Sequence, residues 1–310
     1  MNIVFMGTPD FAVPTLKALI DSKHTVVGVF SQPDKKKGRG HQVSFTPVKA
    51  VAVENNIPVF QPNSLRNEEA VSLMEELNPD LIVVVAYGKL LPLNILEMPP
   101  YGCINVHASL LPKYRGAGPI QWSVLNGEEK TGITTMYMAE GMDTGDMLLK
   151  CETPIGKNET ASELHDRLSL MGGPLLLETL KALEEGTLIR IKQNDDEASH
   201  APMLTKELAA IDFNRTAQEV HHQICGLSEW PCAQTSLNGK RLKIYKSEVV
   251  EAEAPITAGA IINLKQCIVG CGNQTAIKLV EVQYEGSKRM GGPDFLRGQR
   301  VQLGDKLGEL

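Results

Sequence analysis

Aromatic side chains are scarce. They make up 5% of the 310 residues, with two Trp in all, which leaves little stacking surface for a general single-strand nucleic-acid binder. An excess of positive charge is missing too: the formal net charge is −6, which argues against indiscriminate nucleic-acid binding and still permits a local basic footprint. No segment holds the roughly 18 consecutive apolar residues of a membrane-spanning helix. The first apolar run, "NIVFMG", starts at residue 2, so no signal peptide, transit peptide or membrane anchor is expected. Cysteine is sparse and dispersed, at 103, 151, 225, 232, 267 and 271, with no CxxC pair. Cys225 with Cys232, or Cys267 with Cys271 near His221 and His222, are conceivable zinc ligands, but their spacing matches no structural site. Reduced, mostly buried thiols and no metal are expected. These bounds describe a soluble, cytoplasmic protein long enough for two domains.

What is present is first an alternation. The buried runs at 2–7, 25–31, 79–87 and 102–108 are separated by amphipathic stretches, at 14–22, 44–56 and 67–78, with helical spacing. Strands joined by crossover helices predict an α/β fold with a doubly wound, mostly parallel sheet. Runs at 132–140 and 147–155 read as a hairpin-like extension, and 161–186 as one or two long helices. Residues 190–207 are polar and aperiodic and read as a linker. Beyond them lie one helical stretch and then short alternating runs punctuated by Gly and Asn, which predict a smaller β-barrel, OB-like domain. The expected division is 1–189, a linker at 190–207, and 208–310.

The first βα turn, "GTPDF", has Gly7 but no second Gly two residues on. It is not the GxGxxG of a dinucleotide site, which disfavours a nicotinamide oxidoreductase. Chemistry gathers instead in "CINVHASLLPKYRGAGPIQW", residues 103–122. Asn105 and His107, two apart on a strand, share one face at the end where parallel sheets bind ligands. An amide and an imidazole side by side suit acyl transfer, one donating to an oxyanion and the other moving a proton. The same pair also fits a structural role, Asn105 capping the loop and His107 satisfying a backbone group. "GMDTGD" at 141–146 supplies two acids in a Gly-bracketed loop, either turn formers or a carboxylate that holds the imidazole tautomer. No Ser, Cys or Lys stands in a nucleophile elbow, so direct attack by the substrate's own amine is expected.

The strings "FMGTPDFA", "QPDKKKGRG", "FQPNSLR", "VVVAYGKLLP", "GCINVHASLLPKYRGAGPIQW" and "GMDTGD", in this order, resemble the 10-formyltetrahydrofolate-dependent formyltransferases. The resemblance covers nearly the whole chain, since "AIDFNRTAQEVHHQICGLSEWPCA" and the β-rich tail are similar to a C-terminal domain found in that family. The "GTPDF", "GRG" and "FQPxSLR" strings and that domain point to the members that act on initiator methionyl-tRNA. The resemblance implies a catalytic triad of Asn105, His107 and Asp143, and a tetrahydrofolate site lined by Ser109, Leu110, Leu111 and Pro112. It implies 10-formyltetrahydrofolate as co-substrate and no metal. Tyr87, Gly88 and Leu90 either contact the pterin through backbone groups or simply form a turn.

The loop "DKKKGRGH" at 34–41 carries Lys35, Lys36, Lys37 and Arg39. Alone it reads equally as a solvated turn. The resemblance implies that it reaches the acceptor end of the tRNA, with Lys36 and Lys37 standing where members often have Pro-Ala. Residues 208–310 carry 12 basic and 11 acidic side chains against 19 and 26 in residues 1–207. Their cations cluster at Lys240, Arg241, Lys243, Lys246, Lys288, Arg289, Arg297 and Arg300, solvated strand faces or a tRNA footprint. Phosphate contacts there would make binding salt-sensitive. The competing enzymatic readings are a formyltetrahydrofolate hydrolase and a formyltransferase for another amine, such as a sugar amine or glycinamide ribonucleotide. The competing non-enzymatic reading is an RNA-binding protein with a β-barrel reader. A monomer without membrane contact is expected.

Overall fold

In the computed structural model, residues 1–37, 42–253 and 255–308 are described. They form two compact units, one from residues 1–116, 132–153 and 165–200, the other from 117–131, 154–164 and 201 onward. No single cut in the chain separates them.

The first unit begins with the apolar strand β1 (Asn2–Gly7) and helix α1 (Val13–Ile20), which has Pro at its first turn where no N–H is needed. Strand β2 (Thr25–Phe30) follows, then a short antiparallel pair, β3 (Lys35–Lys37) with β4 (Gln42–Ser44). Helix α2 (Pro47–Glu54) is capped by Thr46, whose side chain accepts from the Lys49 N–H. Next come β5 (Val59–Phe60), α3 (Glu68–Leu77), β6 (Leu81–Val85), the single turn α4 (Leu93–Leu96) and β7 (Cys103–His107). Asn67 caps α3 at one end, and Asn78 leaves it in the left-handed region, φ 42°, at the other. Helix α5 (Pro119–Leu125) belongs to the other unit; β8 (Lys130–Tyr137), β9 (Met147–Pro154) and α6 (Ala161–Glu184) complete the first half of the chain.

The seven-stranded sheet runs in the order β5-β2-β1-β6-β7-β8-β9. Pairs β5/β2, β2/β1, β1/β6 and β6/β7 are parallel, and β8 is antiparallel to β7. The order reverses between β1 and β6, and that switch point places a crevice beyond Gly7 and Val85, where open α/β sheets take ligands. All five residues of β6 are buried, as a strand covered on both faces must be. The run at 161–186 resolves into one helix with Pro174 inside it. Its glycines serve close packing: a Cβ on Gly173 would lie 2.8 Å from Ala18 Cβ, and one on Gly172 2.9 Å from Thr15 Oγ1.

In the second unit α7 (Ala217–Gly226) opens with a reciprocal capping box between Thr216 and Glu219. Its sheet comprises β10 (Gln234–Leu237), β11 (Lys240–Val250), β12 (Ile261–Asn263), β13 (Ile268–Cys271), β14 (Thr275–Tyr284) and β15 (Met290–Gly291). All of its assigned pairings are antiparallel, in the order β10-β11-β14-β13-β12 with β15 on β14. Helix α8 (Gly292–Gly298) and α7 supply Phe295, Leu296, Val220 and Ile224 to its core, beside Leu242, Ile244, Ile277 and Leu279. No helix among the described residues is long and apolar enough to cross a membrane.

Candidate active site

Strand β7 ends at His107, so Asn105 and His107 project together at the C-terminal edge of the sheet, as the two-residue spacing predicts. His107 is 6% exposed. Its Nε2 lies 3.0 Å from the Tyr114 carbonyl oxygen. A carbonyl only accepts, so Nε2 carries the hydrogen and the other nitrogen, Nδ1, presents its lone pair. That nitrogen faces Asp143, 3.7 Å from Oδ2. Asn105 Nδ2 is 3.5 Å from Asp143 Oδ1. The structure thus brings Asn105, His107 and Asp143 together across 38 residues of sequence. It also makes the backbone partner considered for His107 real, since the Tyr114 carbonyl fixes the ring while Nδ1 stays directed at the carboxylate.

Asp143 is held at φ 53°, a left-handed geometry that costs a non-glycine residue free energy and persists where neighbours enforce it. Its Oδ2 accepts the Gly116 N–H at 2.8 Å. Gly145, two residues on, sits against β8: a Cβ there would be 1.8 Å from the Tyr137 carbonyl oxygen. The glycine is present for that close approach, and the loop is further tied by the Tyr137 N–H donating to the Asp146 carbonyl at 2.9 Å.

The "SLLP" segment is pinned from several sides. Ser109 is fully buried, with its hydroxyl donating to the Lys113 carbonyl at 2.7 Å. Thr134 Oγ1 donates to the Ser109 carbonyl at 2.6 Å and accepts the Leu111 N–H at 3.2 Å. The Lys150 ammonium donates to the Leu111 carbonyl at 2.5 Å, and the Leu111–Pro112 peptide is cis. Leu111 packs with Met136 and Met147, while Leu110 and Pro112 are half-buried.

At the switch point, the Tyr87 carbonyl accepts from Thr8 Oγ1 and from Gln32 Nε2, each at 3.1 Å. The Tyr87 ring is buried with its hydroxyl unpartnered, and burial pushes that phenol up to about 12. Gly88 has φ 84° and Leu90 is 61% exposed. Lys89 donates to the Pro62 and Asn63 carbonyls at 2.8 and 2.7 Å, linking the "YGK" and "FQPN" segments. Gln61 in turn donates to the Gln32 carbonyl at 2.8 Å and to Asp34 at 2.9 Å, and Lys49 reaches Asp34 Oδ2 at 2.5 Å. Burial raises the Asp34 carboxyl, and the bonds from Lys49 and Gln61 outweigh it and hold it below the usual range.

Lys35, Lys36 and Lys37 form β3, paired with Ser44, Val43 and Gln42; Arg39 lies outside the described residues. In the second unit, Lys246 binds Glu163 at 2.8 Å and draws its carboxyl down to about 2. Arg297 pairs with Asp294, and Arg289 lies 3.5 Å above the Tyr245 ring. The His221 and Cys225 side chains make a buried contact at 3.6 Å, and no group of three or more metal-ligating side chains occurs among the described residues.

A buried imidazole with one nitrogen directed at a carboxylate, beside a side-chain amide on the ligand-binding edge of a doubly wound sheet, is an arrangement suited to an α/β group-transfer enzyme. Residues 1–180 match the model of the formyl transferase family, and residues 203–300 that of the formyl transferase C-terminal domain. The chain belongs to the formyl transferase family. It is 53% identical over 310 residues to the methionyl-tRNA formyltransferase of Alkaliphilus oremlandii, covering 100% of each chain. It is 48% identical over 309 residues to that of Clostridioides difficile, covering 99% of this chain and 100% of the relative. Among solved structures, an N-formyltransferase from Helicobacter canadensis, in complex with folinic acid and dTDP-3-aminofucose, superposes with a TM-score of 0.68 at 19% identity. That match covers 92% of this chain and 99% of the other.

Proposed function

We propose that this chain transfers the formyl group of 10-formyltetrahydrofolate to the α-amino group of methionine on initiator methionyl-tRNA, with Asn105, His107 and Asp143 as the catalytic residues. The observation that carries the reaction is full-length identity of about half to methionyl-tRNA formyltransferases. The observation that supports the residues is their convergence at the end of β7.

The amine nitrogen attacks the formyl carbon, forming an N–C bond and a tetrahedral oxyanion. Asn105 Nδ2 has a second hydrogen besides the one directed at Asp143, and it donates to that oxygen. His107 takes or gives a proton at Nδ1, its ring held by the Tyr114 carbonyl, and the Asp143 carboxylate stabilises the imidazolium. The carbon–N10 bond then breaks, one proton having left the amine and one arriving at N10. Ser109, Leu110, Leu111 and Pro112 line the folate, with Tyr87, Gly88 and Leu90 contributing backbone contacts to the pterin.

Lys35, Lys36, Lys37 and Arg39 contact the tRNA acceptor end. As functional divisions we assign catalysis to 1–189, a linker to 190–207, and tRNA binding to an OB-like barrel at 208–310. The enzyme works as a cytoplasmic monomer without a metal. The test is transfer of labelled formyl from 10-formyltetrahydrofolate to methionyl-tRNA by purified protein, beside His107→Ala and a control without tRNA. Label on the aminoacyl-tRNA that vanishes in the variant is the expected result. Release of formate without tRNA would establish a hydrolase instead.

A further inference from the structure

We propose that Gln193, in the stretch that reads as linker, is a positioning residue for Asp143; the inference rests on the catalytic assignment of Asp143. Residues 191–200 run as a strip beside both loops of the site. At one end Ile191 pairs with Met147, its N–H donating at 2.9 Å and its carbonyl accepting at 2.8 Å. At the other, the Ser199 hydroxyl accepts the Tyr114 N–H and the Ser199 carbonyl accepts the Arg115 N–H, both at 2.9 Å.

Between these anchors, the Gln193 amide uses both of its N–H groups and its oxygen. Nε2 donates to the Asp143 carbonyl at 2.7 Å and to the Gly145 carbonyl at 2.8 Å. Oε1 accepts from Arg115 Nε at 2.9 Å, and Arg115 Nη2 is held by Asp195 at 2.8 Å. One side chain therefore joins the loop that carries Asp143 to the segment whose Tyr114 carbonyl orients His107 and whose Gly116 N–H holds the Asp143 carboxylate. The backbone it grips is the strained one, Asp143 at φ 53°. Two hydrogen bonds to the carbonyls on either side of Thr144 oppose relaxation of that loop. The Gln193 Nε2 acts on the loop that carries Asp143, while its Oε1 reaches Arg115, beside the Tyr114 whose carbonyl orients His107; the positioning of Asp143 is the work of Nε2.

Two variants of the full chain separate the roles. Gln193→Met keeps length and removes all three bonds. Gln193→Glu keeps an acceptor for Arg115 and replaces the donating NH2 by a single oxygen that faces both carbonyls. Both are assayed for formyl transfer to methionyl-tRNA, in the native background and with Asp143→Asn, and thermal unfolding is followed in parallel. The expected result is a loss in kcat of about tenfold or more for each variant, KM for both substrates staying within about threefold. In the Asp143→Asn background Gln193→Glu, which keeps the Arg115 bond, costs less than about twofold, because the residue that Nε2 positions no longer acts. The inference is overturned if kcat is unchanged, if only KM moves, or if the loss multiplies equally in both backgrounds, which is the signature of an independent structural role. Native protein without transfer activity would overturn the functional reading itself, an outcome distinct from active native protein with unaffected variants.

Discussion

Replacing Gly145 with Ala puts a methyl group where the structure has no room for one. The added Cβ would lie 1.8 Å from the Tyr137 carbonyl oxygen and 2.8 Å from its carbon, both backbone atoms of β8. Neither rotates away, so the loop must retreat from the strand by roughly 1.5 Å to recover ordinary contact. Asp143 is two residues away, and the loop's tether from Tyr137 N–H to Asp146 is stretched by the same movement. A displacement of about 1 Å in a catalytic group costs on the order of 100-fold in rate, so kcat for formyl transfer is expected to fall roughly that far, with KM for 10-formyltetrahydrofolate changed much less. Gly141→Ala is the control. Its Cβ would meet the Thr144 side chain, at 2.5 Å from Oγ1, and a side chain at the surface can turn aside. Steady-state kinetics on both variants, with unfolding temperatures to show that each is folded, decide the matter. A Gly145→Ala enzyme with kcat within about threefold of the native value would refute the view that the 141–146 loop is held by contact with β8.

In the second unit, His221 is buried, its Nε2–H donating to the Lys157 carbonyl at 3.0 Å and its Nδ1 accepting from Ser247 at 2.9 Å. Burial holds its pKa below the usual histidine value, with Lys157 and Glu248 as the charges facing it and His222 and Cys225 as its titratable neighbours. The unfolded chain binds the proton first as pH falls, so this stability is complete above about pH 6.5 and is lost on descending from there toward the folded value. Urea midpoints between pH 7.5 and 5.5 should show that slope in the native chain and a shallower one in His221→Asn. Lys49→Met should cost about 3 kcal/mol, because it leaves the Asp34 carboxylate, 14% exposed, without its cation. Denaturant unfolding should recover part of that loss when Asp34→Asn is added. Gly298→Ala, near the end of α8 with nothing within 4 Å of the added Cβ, should stabilise by roughly 0.5 to 1 kcal/mol, and a lowered melting temperature would contradict that.

The parallel strands were legible because burial on both faces leaves unbroken apolar runs, as in β6. The placement of Asn105 beside His107 followed from the strand period alone. Asp143 did not, since nothing local ties residue 143 to residue 107; only the likeness of whole strings linked them. Helix α5 was hidden by its own start: "AGPIQW" reads as loop chemistry, yet Pro119 stands at the first turn, where its fixed φ favours the helix. Gln193 was invisible for a different reason. Its partners are backbone carbonyls some 50 residues away, and side-chain bonds of that kind leave no period in a sequence. The same holds for the 117–131 and 154–164 stretches, whose allegiance to the later part of the chain depends on contacts that composition does not register.

That divided allegiance has a consequence for biosynthesis. Ile120 and Val124 of α5 are 6% and 4% exposed in the finished protein. Gly127 and Gly226 let α5 and α7 meet closely: a Cβ on Gly226 would be 2.6 Å from Leu125 Cγ, and one on Gly127 2.2 Å from the His222 ring. On the ribosome, α5 emerges about a hundred residues before α7, a delay of several seconds or more at typical elongation rates. Throughout that interval the surface of α5 that meets α7 stays uncovered, so the nascent chain carries an unfinished packing face at this point. A ribosome stalled near residue 200 would present a chain whose first half has been made in full and still cannot be finished.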